Sequence, residues 1–314
     1  MSELPHDAPT SGDPDLEAVL LRFPDLAGGV ARVSRPDHAA IARVWLLEDR
    51  FVLRARALAA DTLREFHREQ ALLELARPVI PARLPAPIAS ADGARYVIHG
   101  DALWTLYHQL PGRIRCPWQT LHRAPESERR CLVTSLRALH DATRGKLNPV
   151  GSDWVLRGVR ARLDPVASLL STTARVSVER ALSGVAAART RFGRSQCAFV
   201  HGDFHWGNLL VDDHGEVVAM LDLDWCRVGH PLEDLAYTAM MLLRDYDSPT
   251  PRFDELDRIL EWYDPQGVDR SLFDEYLVLY ALFDVHLFWA AADLTDRSRY
   301  LQYQLWFLEA LTQR

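Results

Sequence analysis

Apolar residues recur along this chain at two different periods, and the change from one to the other divides it. Between residues 30 and 57 the runs VARVS, IARVWLLED and RFVLRARA alternate or are apolar throughout, which predicts strands. A helix is predicted from about Asp61 to Arg77, and ARYVIHGDALWTLYHQLPGRI then supplies two further strands ending at the turn pair Pro111-Gly112. After Pro117 the apolar spacing becomes three and four: ERRCLVTSLRALHDAT and SVERALSGVAAARTRF read as amphipathic helices. SLFDEYLVLYALFDVHLFWAAADL is apolar on nearly every side and predicts a buried helix interrupted by Asp284 and His286. Around Lys146 to Arg175 the pattern blurs, with Trp154 and Leu163 as starts of short helices. The pattern predicts an α+β chain: a small antiparallel sheet with one helix, then a larger and mainly helical part.

One segment breaks this rhythm with chemistry. HGDFHWGNLL at 201 to 210 is followed by the turn DDHG and by EVVAMLDL, so two short strands fold back on each other. Asp203 and Asn208 precede the first strand, and Asp222 ends the second. A carboxylate that orients a hydroxyl, beside an amide and a second carboxylate that hold Mg²⁺, is what phosphoryl transfer requires. The five-residue step from Asp203 to Asn208 equals the Asp-to-Asn step of the protein-kinase catalytic loop. Asp224 competes with Asp222 as the metal ligand, although Asp222 continues the apolar strand, and an Asp-Phe-Gly is not present.

HGDFHWGN together with LDLDWCRVGHPLEDLAY resembles the aminoglycoside phosphotransferase and choline kinase-like family, relatives of the protein kinases. The resemblance implies a bilobal protein-kinase-like fold, with residues 15–110 as the nucleotide-binding lobe and 111–314 carrying the catalytic hairpin and acceptor site. It implies Asp203 as catalytic base, Asn208 and Asp222 as Mg²⁺ ligands and Asp234 as a brace for the catalytic loop. His201 would be a scaffold residue, and His205 would lie near the phosphates or the metal. Of 36 basic residues only Lys146 is lysine, so the strand lysine of the family is replaced, with Arg54 in its place. Glu69 is implied as its helix partner, with Glu65 one turn earlier as the runner-up. A guanidinium forks onto phosphate oxygens, so arginine suits the task; the same pair could instead be a surface ion pair of little worth. The turn SRPDHA lacks a glycine fingerprint for covering phosphate. At the hinge, the His108 carbonyl and the Leu110 amide are implied to bind the adenine of ATP, with Tyr107 behind it.

Composition adds limits. The chain has 314 residues, 48% hydrophobic and 25% charged, enough for a sizeable core. Residues 1–14 are polar and read as an unstructured tail, and neither a signal segment nor an apolar run of membrane-spanning length is present, so a soluble, cytoplasmic protein is expected. Four scattered cysteines suggest neither a zinc site nor a disulfide framework. From Leu232 to Arg314 sixteen acidic side chains face seven basic ones, within a chain of net charge −7. Such acidity argues against nucleic acid and favours a cationic acceptor, unless it reflects only solvated helix faces. His286, Trp289 and Asp293 share one helix stripe, and Asp257 and Glu261 are one turn apart; both sets are candidates for contacting an acceptor, although the first equally fits core packing. The expectation is Mg²⁺-dependent transfer from ATP to a small-molecule hydroxyl. A protein Ser/Thr kinase of the same fold and a catalytically silent nucleotide-binding module are the alternatives.

Overall fold

The computed structural model describes residues 14–26, 33–34, 43–116, 118–148, 154–245, 251–290 and 297–314. The expected tail (but for Pro14), most of the SRPDHA turn and Asp293 lie outside the described residues. Pro14, assigned to the tail, opens a helix instead.

The small lobe comprises α1 (Pro14–Leu20), β1 (Val33–Ser34), β2 (Arg43–Leu47), β3 (Phe51–Ala57), α2 (Thr62–Ala76), β4 (Val97–His99) and β5 (Ala102–His108). Its strands form one sheet in the order β1-β2-β3-β5-β4, antiparallel at every pairing. Strand periodicity decides which side chains face where. Phe51, Leu53 and Ala55 of β3 join Ala102, Trp104 and Leu106 of β5 in a core that α1 covers with Leu16 and Val19. Arg54 and Arg56 point to the opposite face of the sheet, opposite Thr105 and Leu103 in the β3–β5 register. The helix α1 was not foreseen, because seven residues after a polar stretch carry too short a pattern to register.

The large lobe contains β6 (Arg113–Ile114), α3 (Glu126–Thr143), α4 (Trp154–Val166), α5 (Thr172–Arg189), β7 (Ala198–Val200), β8 (Leu209–Val211), β9 (Val217–Met220), β10 (Arg227–Gly229), α6 (Leu232–Leu243), α7 (Leu256–Tyr263), α8 (Arg270–Ala290) and α9 (Arg297–Thr312). The expected buried helix is α8, which packs against α4, α5, α6 and α9. Trp154 and Leu163, expected to start separate short helices, belong to the single helix α4.

Two small ladders carry the hairpin. β6 pairs with β8, and β8 with β9, so the chain leaving the small lobe is built directly into the sheet of the hairpin. Gly112 makes that approach possible: its φ is +108°, and an added Cβ would stand 2.9 Å from Val218 Cγ2 and 3.0 Å from both Leu210 Cβ and the Val211 carbonyl oxygen. Arg83 binds the other side of β9, donating to the Val218 carbonyl at 2.8 Å and accepting from Met220 at 3.0 Å. β10 returns to pair with β7. The loops at 201–208 and 221–226 therefore leave and re-enter the fold side by side.

Candidate active site

Backbone bonds fix the two loops against each other before any side chain is considered. The Leu221 N–H donates to the Asn208 carbonyl at 2.8 Å, which sets Asp222 beside Asn208. Asp222 itself has φ +52°, a left-handed conformation that a non-glycine residue adopts at an energetic cost and that recurs at functional sites. Gly202 is pressed on Trp225, whose Cβ would lie 2.5 Å from a Cβ added there.

Asp234 sits at the base of this arrangement. Fully buried at the start of α6, it accepts the His201 N–H at 2.6 Å and the Gly202 N–H at 2.7 Å, with His140 Nε2 at 3.3 Å. Tyr263 extends the chain, its hydroxyl lying 2.7 Å from His140 Nδ1. Burial raises the Asp234 carboxyl, but bonding from His140, the imidazole charges and the Gly202 amide outweigh it and hold the group below the usual carboxylate range. His201 is buried, with Nδ1 accepting the Asp203 N–H at 3.2 Å. A second buried pair, Arg227 with Glu233 at 2.7 Å, ties the return loop, since Arg227 also donates to the Trp225 carbonyl at 2.8 Å.

Asp203 projects from the loop so supported. His205 Nδ1 accepts the Gly207 N–H at 3.0 Å, so the ring proton resides on Nε2, 3.2 Å from Asp203 Oδ1. The Asn208 amide nitrogen donates to Asp203 Oδ2 at 2.9 Å and to the Asp203 carbonyl at 3.0 Å. Burial pushes the Asp203 carboxyl up, yet His205 and the Tyr237 hydroxyl more than reverse this, so the group is held ionised well below its ordinary range. Asp222 shifts the other way: burial raises it, Arg54 opposes, and Asp224 and Asp203 add to the rise.

Asn208 and Asp222 fit a divalent ion of the oxygen-preferring kind. With its nitrogen committed to Asp203, Asn208 is left with its carbonyl oxygen as a donor to metal, and Asp222 opens a carboxylate to the cleft. Among the described residues no group of three or more His, Cys, Asp or Glu side chains could hold a metal on its own. Mg²⁺ is ordinarily held in this way, by one or two protein oxygens with phosphates completing its shell.

The basic residues are arranged differently from expectation. Arg54 does not pair with Glu69; Glu69 accepts from Arg56, at 2.7 and 3.2 Å. Arg54 crosses the cleft to Asp222 at 2.9 Å and forks onto Asp224 at 2.8 and 2.7 Å. Both arginines lie on one face of β3; Arg56 is the one beside Glu69 of α2, and Arg54 the one that forks onto the carboxylates across the cleft. Arg56 was overlooked although its spacing of two from Arg54 placed it on the same face. Tyr237 was also missed, one helical turn after Asp234. Glu65, the runner-up to Glu69, acts electrostatically on Arg162.

Candidate residues elsewhere are scattered. His108 ends β5 exposed, its ring 5.3 Å from Phe51, and Leu110 follows it, half-buried, just before the Pro111-Gly112 turn. Asp257 is bonded to Arg270 at 2.7 Å, and with Glu261 it lines a surface hollow made of α7 and the following loop. His286 and Trp289 meet edge to face at 5.7 Å on the outer part of α8. Nearer the hairpin, Arg162 of α4 lies over the rings of Phe283 (4.8 Å) and Trp225 (5.8 Å), a wall that sequence patterning did not reveal. No described helix is long and apolar enough to cross a membrane.

The sequence profile of the phosphotransferase enzyme family matches residues 32–276. No curated protein sequence matches the chain significantly. Among solved structures, the GDP and kanamycin complex of APH(2")-IIia is similar with a TM-score of 0.67 at 13% identity, over 94% of this chain and 97% of that one. A thermostable mutant of aminoglycoside phosphotransferase APH(4)-Ia, in ternary complex with ADP and hygromycin B, gives 0.60 at 16% identity over 91% and 95%. An aminoglycoside phosphotransferase from Alicyclobacillus acidocaldarius gives 0.54 at 15% identity over 95% of each chain. These likenesses establish a bilobal, kinase-like fold.

Proposed function

The chain belongs to the phosphotransferase enzyme family, and from that premise we propose that it transfers the γ-phosphate of ATP to a hydroxyl of a small molecule with the help of Mg²⁺. The observation that carries this reading is the meeting of Asp203, Asn208 and Asp222 at the joined ends of one hairpin, with Asn208 bonded to Asp203 at 2.9 Å. Two of the similar structures named above were solved with a nucleotide and an antibiotic, GDP with kanamycin and ADP with hygromycin B, which supports a nucleotide and a small acceptor here as well.

In this reading Asn208 and Asp222 hold Mg²⁺, which when bound neutralises charge on the phosphates. Asp203 aligns the acceptor hydroxyl and receives its proton. Its low pKa suits alignment: the carboxylate stays ionised, and the proton moves to it as the oxygen–phosphorus bond forms. His205 flanks that carboxylate, its Nε2 3.2 Å from Oδ1. Arg54 supplies positive charge to phosphate oxygens, while Asp234 and His201 keep the loop rigid, so that reacting groups meet without reorganisation. The hinge backbone at His108 and Leu110 would receive the base. Trp225, Phe283 and Arg162 would flank the acceptor, a better-placed wall than the exposed Asp257 and Glu261.

ADP release from ATP and Mg²⁺, measured against a panel of hydroxylated antibiotics, amino alcohols and sugars, tests the proposal. Turnover that depends on one acceptor class supports it, provided Asp203→Asn loses turnover and still binds ADP. Full activity in Asp203→Asn would end it.

A further inference from the structure

Five charged side chains form an unbroken line across the cleft: Glu69, Arg56, Asp224, Arg54 and Asp222. Arg56 lies 2.7 Å from Glu69 and 2.9 Å from Asp224, and Arg54 lies 2.7 Å from Asp224 and 2.9 Å from Asp222. The two ends differ. The Glu69 side chain is 7% exposed and the Asp222 side chain 42%. Arg56 bonds two carboxylates at the closed end, and Asp224 takes Arg54 by two bonds, whereas Asp222 is joined to it by one.

The open bond is made to a carboxylate assigned above to the metal. A divalent ion on Asp222 would then stand within a few ångströms of the Arg54 guanidinium, and like charges at that range repel. Nucleotide phosphates relieve this repulsion, because they bring enough negative charge for both cations and give the guanidinium new acceptors.

We infer that Arg54 is a tethered counter-cation for Asp222, which keeps the metal out until it arrives with nucleotide and then exchanges that carboxylate for phosphate. Arg56, Glu69 and Asp224 form the frame that stays. The inference rests on the proposed phosphotransfer site and names Asp224 as the holder of the two arginines, leaving the metal to Asp222.

Binding of Mn²⁺ alone and of Mn²⁺ with ADP, followed by the electron paramagnetic resonance of free Mn²⁺, tests it without any turnover. In the wild-type protein Mn²⁺ alone should bind weakly and ADP should tighten it. Arg54→Gln should bind Mn²⁺ alone roughly tenfold more tightly, the effect of removing one adjacent charge, and the tightening by ADP should shrink by reciprocity. Arg54→Lys keeps the charge and should retain weak binding of Mn²⁺ alone. Unchanged or weaker Mn²⁺ binding in Arg54→Gln, or an Arg54→Lys protein that behaves like it, overturns the inference. If wild-type protein binds neither ADP nor Mn²⁺ with ADP, the phosphotransfer reading itself falls.

Discussion

Replacing Asp234 by Asn tests the claim that one buried carboxylate organises the catalytic loop. The wild-type group accepts two backbone N–H bonds, at 2.6 and 2.7 Å, and faces His140 Nε2 at 3.3 Å, with no solvent exposure. An amide of the same shape has one acceptor oxygen, so it can satisfy only one of the two backbone donors and turns its own N–H₂ toward the other. The loss is one charge-assisted bond, about 1.5–3 kcal/mol, and one stranded buried donor, about 1–3 kcal/mol. Together these predict a destabilisation of about 4 kcal/mol at pH 7, read from urea unfolding. Acid provides a second reading. Burial raises the Asp234 pKa, but His140, His201 and the Gly202 amide prevail, so the folded value lies below the unfolded one. Stability from the group is therefore complete above the unfolded pKa of about 3.9 and disappears as pH falls through the folded value. The gap between wild type and Asp234→Asn should accordingly narrow below about pH 4. A loss under about 1 kcal/mol, or a gap that is flat through that range, would refute the assignment of the brace to this carboxylate.

Gly112→Ala should lower stability by about 2 kcal/mol or more in a thermal melt, since the residue needs φ +108° and its new Cβ meets Val218, Leu210 and Val211 within about 3 Å. Tyr237→Phe removes a hydroxyl that helps hold Asp203 ionised, so the acid limb of the kcat–pH profile should move to higher pH, the ionised form being the active one. Glu69→Gln weakens the grip on Arg56, whose bonds at 2.7 and 3.2 Å to a nearly buried carboxylate are charge-assisted. A stability loss of about 1–3 kcal/mol is expected, with KM for ATP rising more than kcat falls.

Local features carried the sequence reading a long way. The turn between β8 and β9 and the five-residue step from Asp203 to Asn208 are short-range, so spacing alone predicts that a hairpin brings Asp222 back to Asn208, as the bond from Leu221 to Asn208 records. The nearly uniform apolarity of α8 announced its burial. Other features left faint traces. The helix α1 is too short to be distinguished from the tail before it, and α4 falls in a stretch where Pro165 interrupts the periodicity.

The pattern of residues along the chain thus determined the order of elements, the sheet-then-helices division and the three oxygens of the hairpin, because each depends on neighbours a few positions away. It left the partners of charged groups undecided. Arg54 and Arg56 occupy the same face of one strand and have the same reach, so nothing local distinguishes them. Only the tertiary structure, which sets Asp222 and Asp224 across the cleft from Arg54 and places α2 so that Glu69 meets Arg56, made the choice. Charge pairing across 168 positions is a property of the folded cleft, where the position of the opposing wall fixes which guanidinium meets which carboxylate.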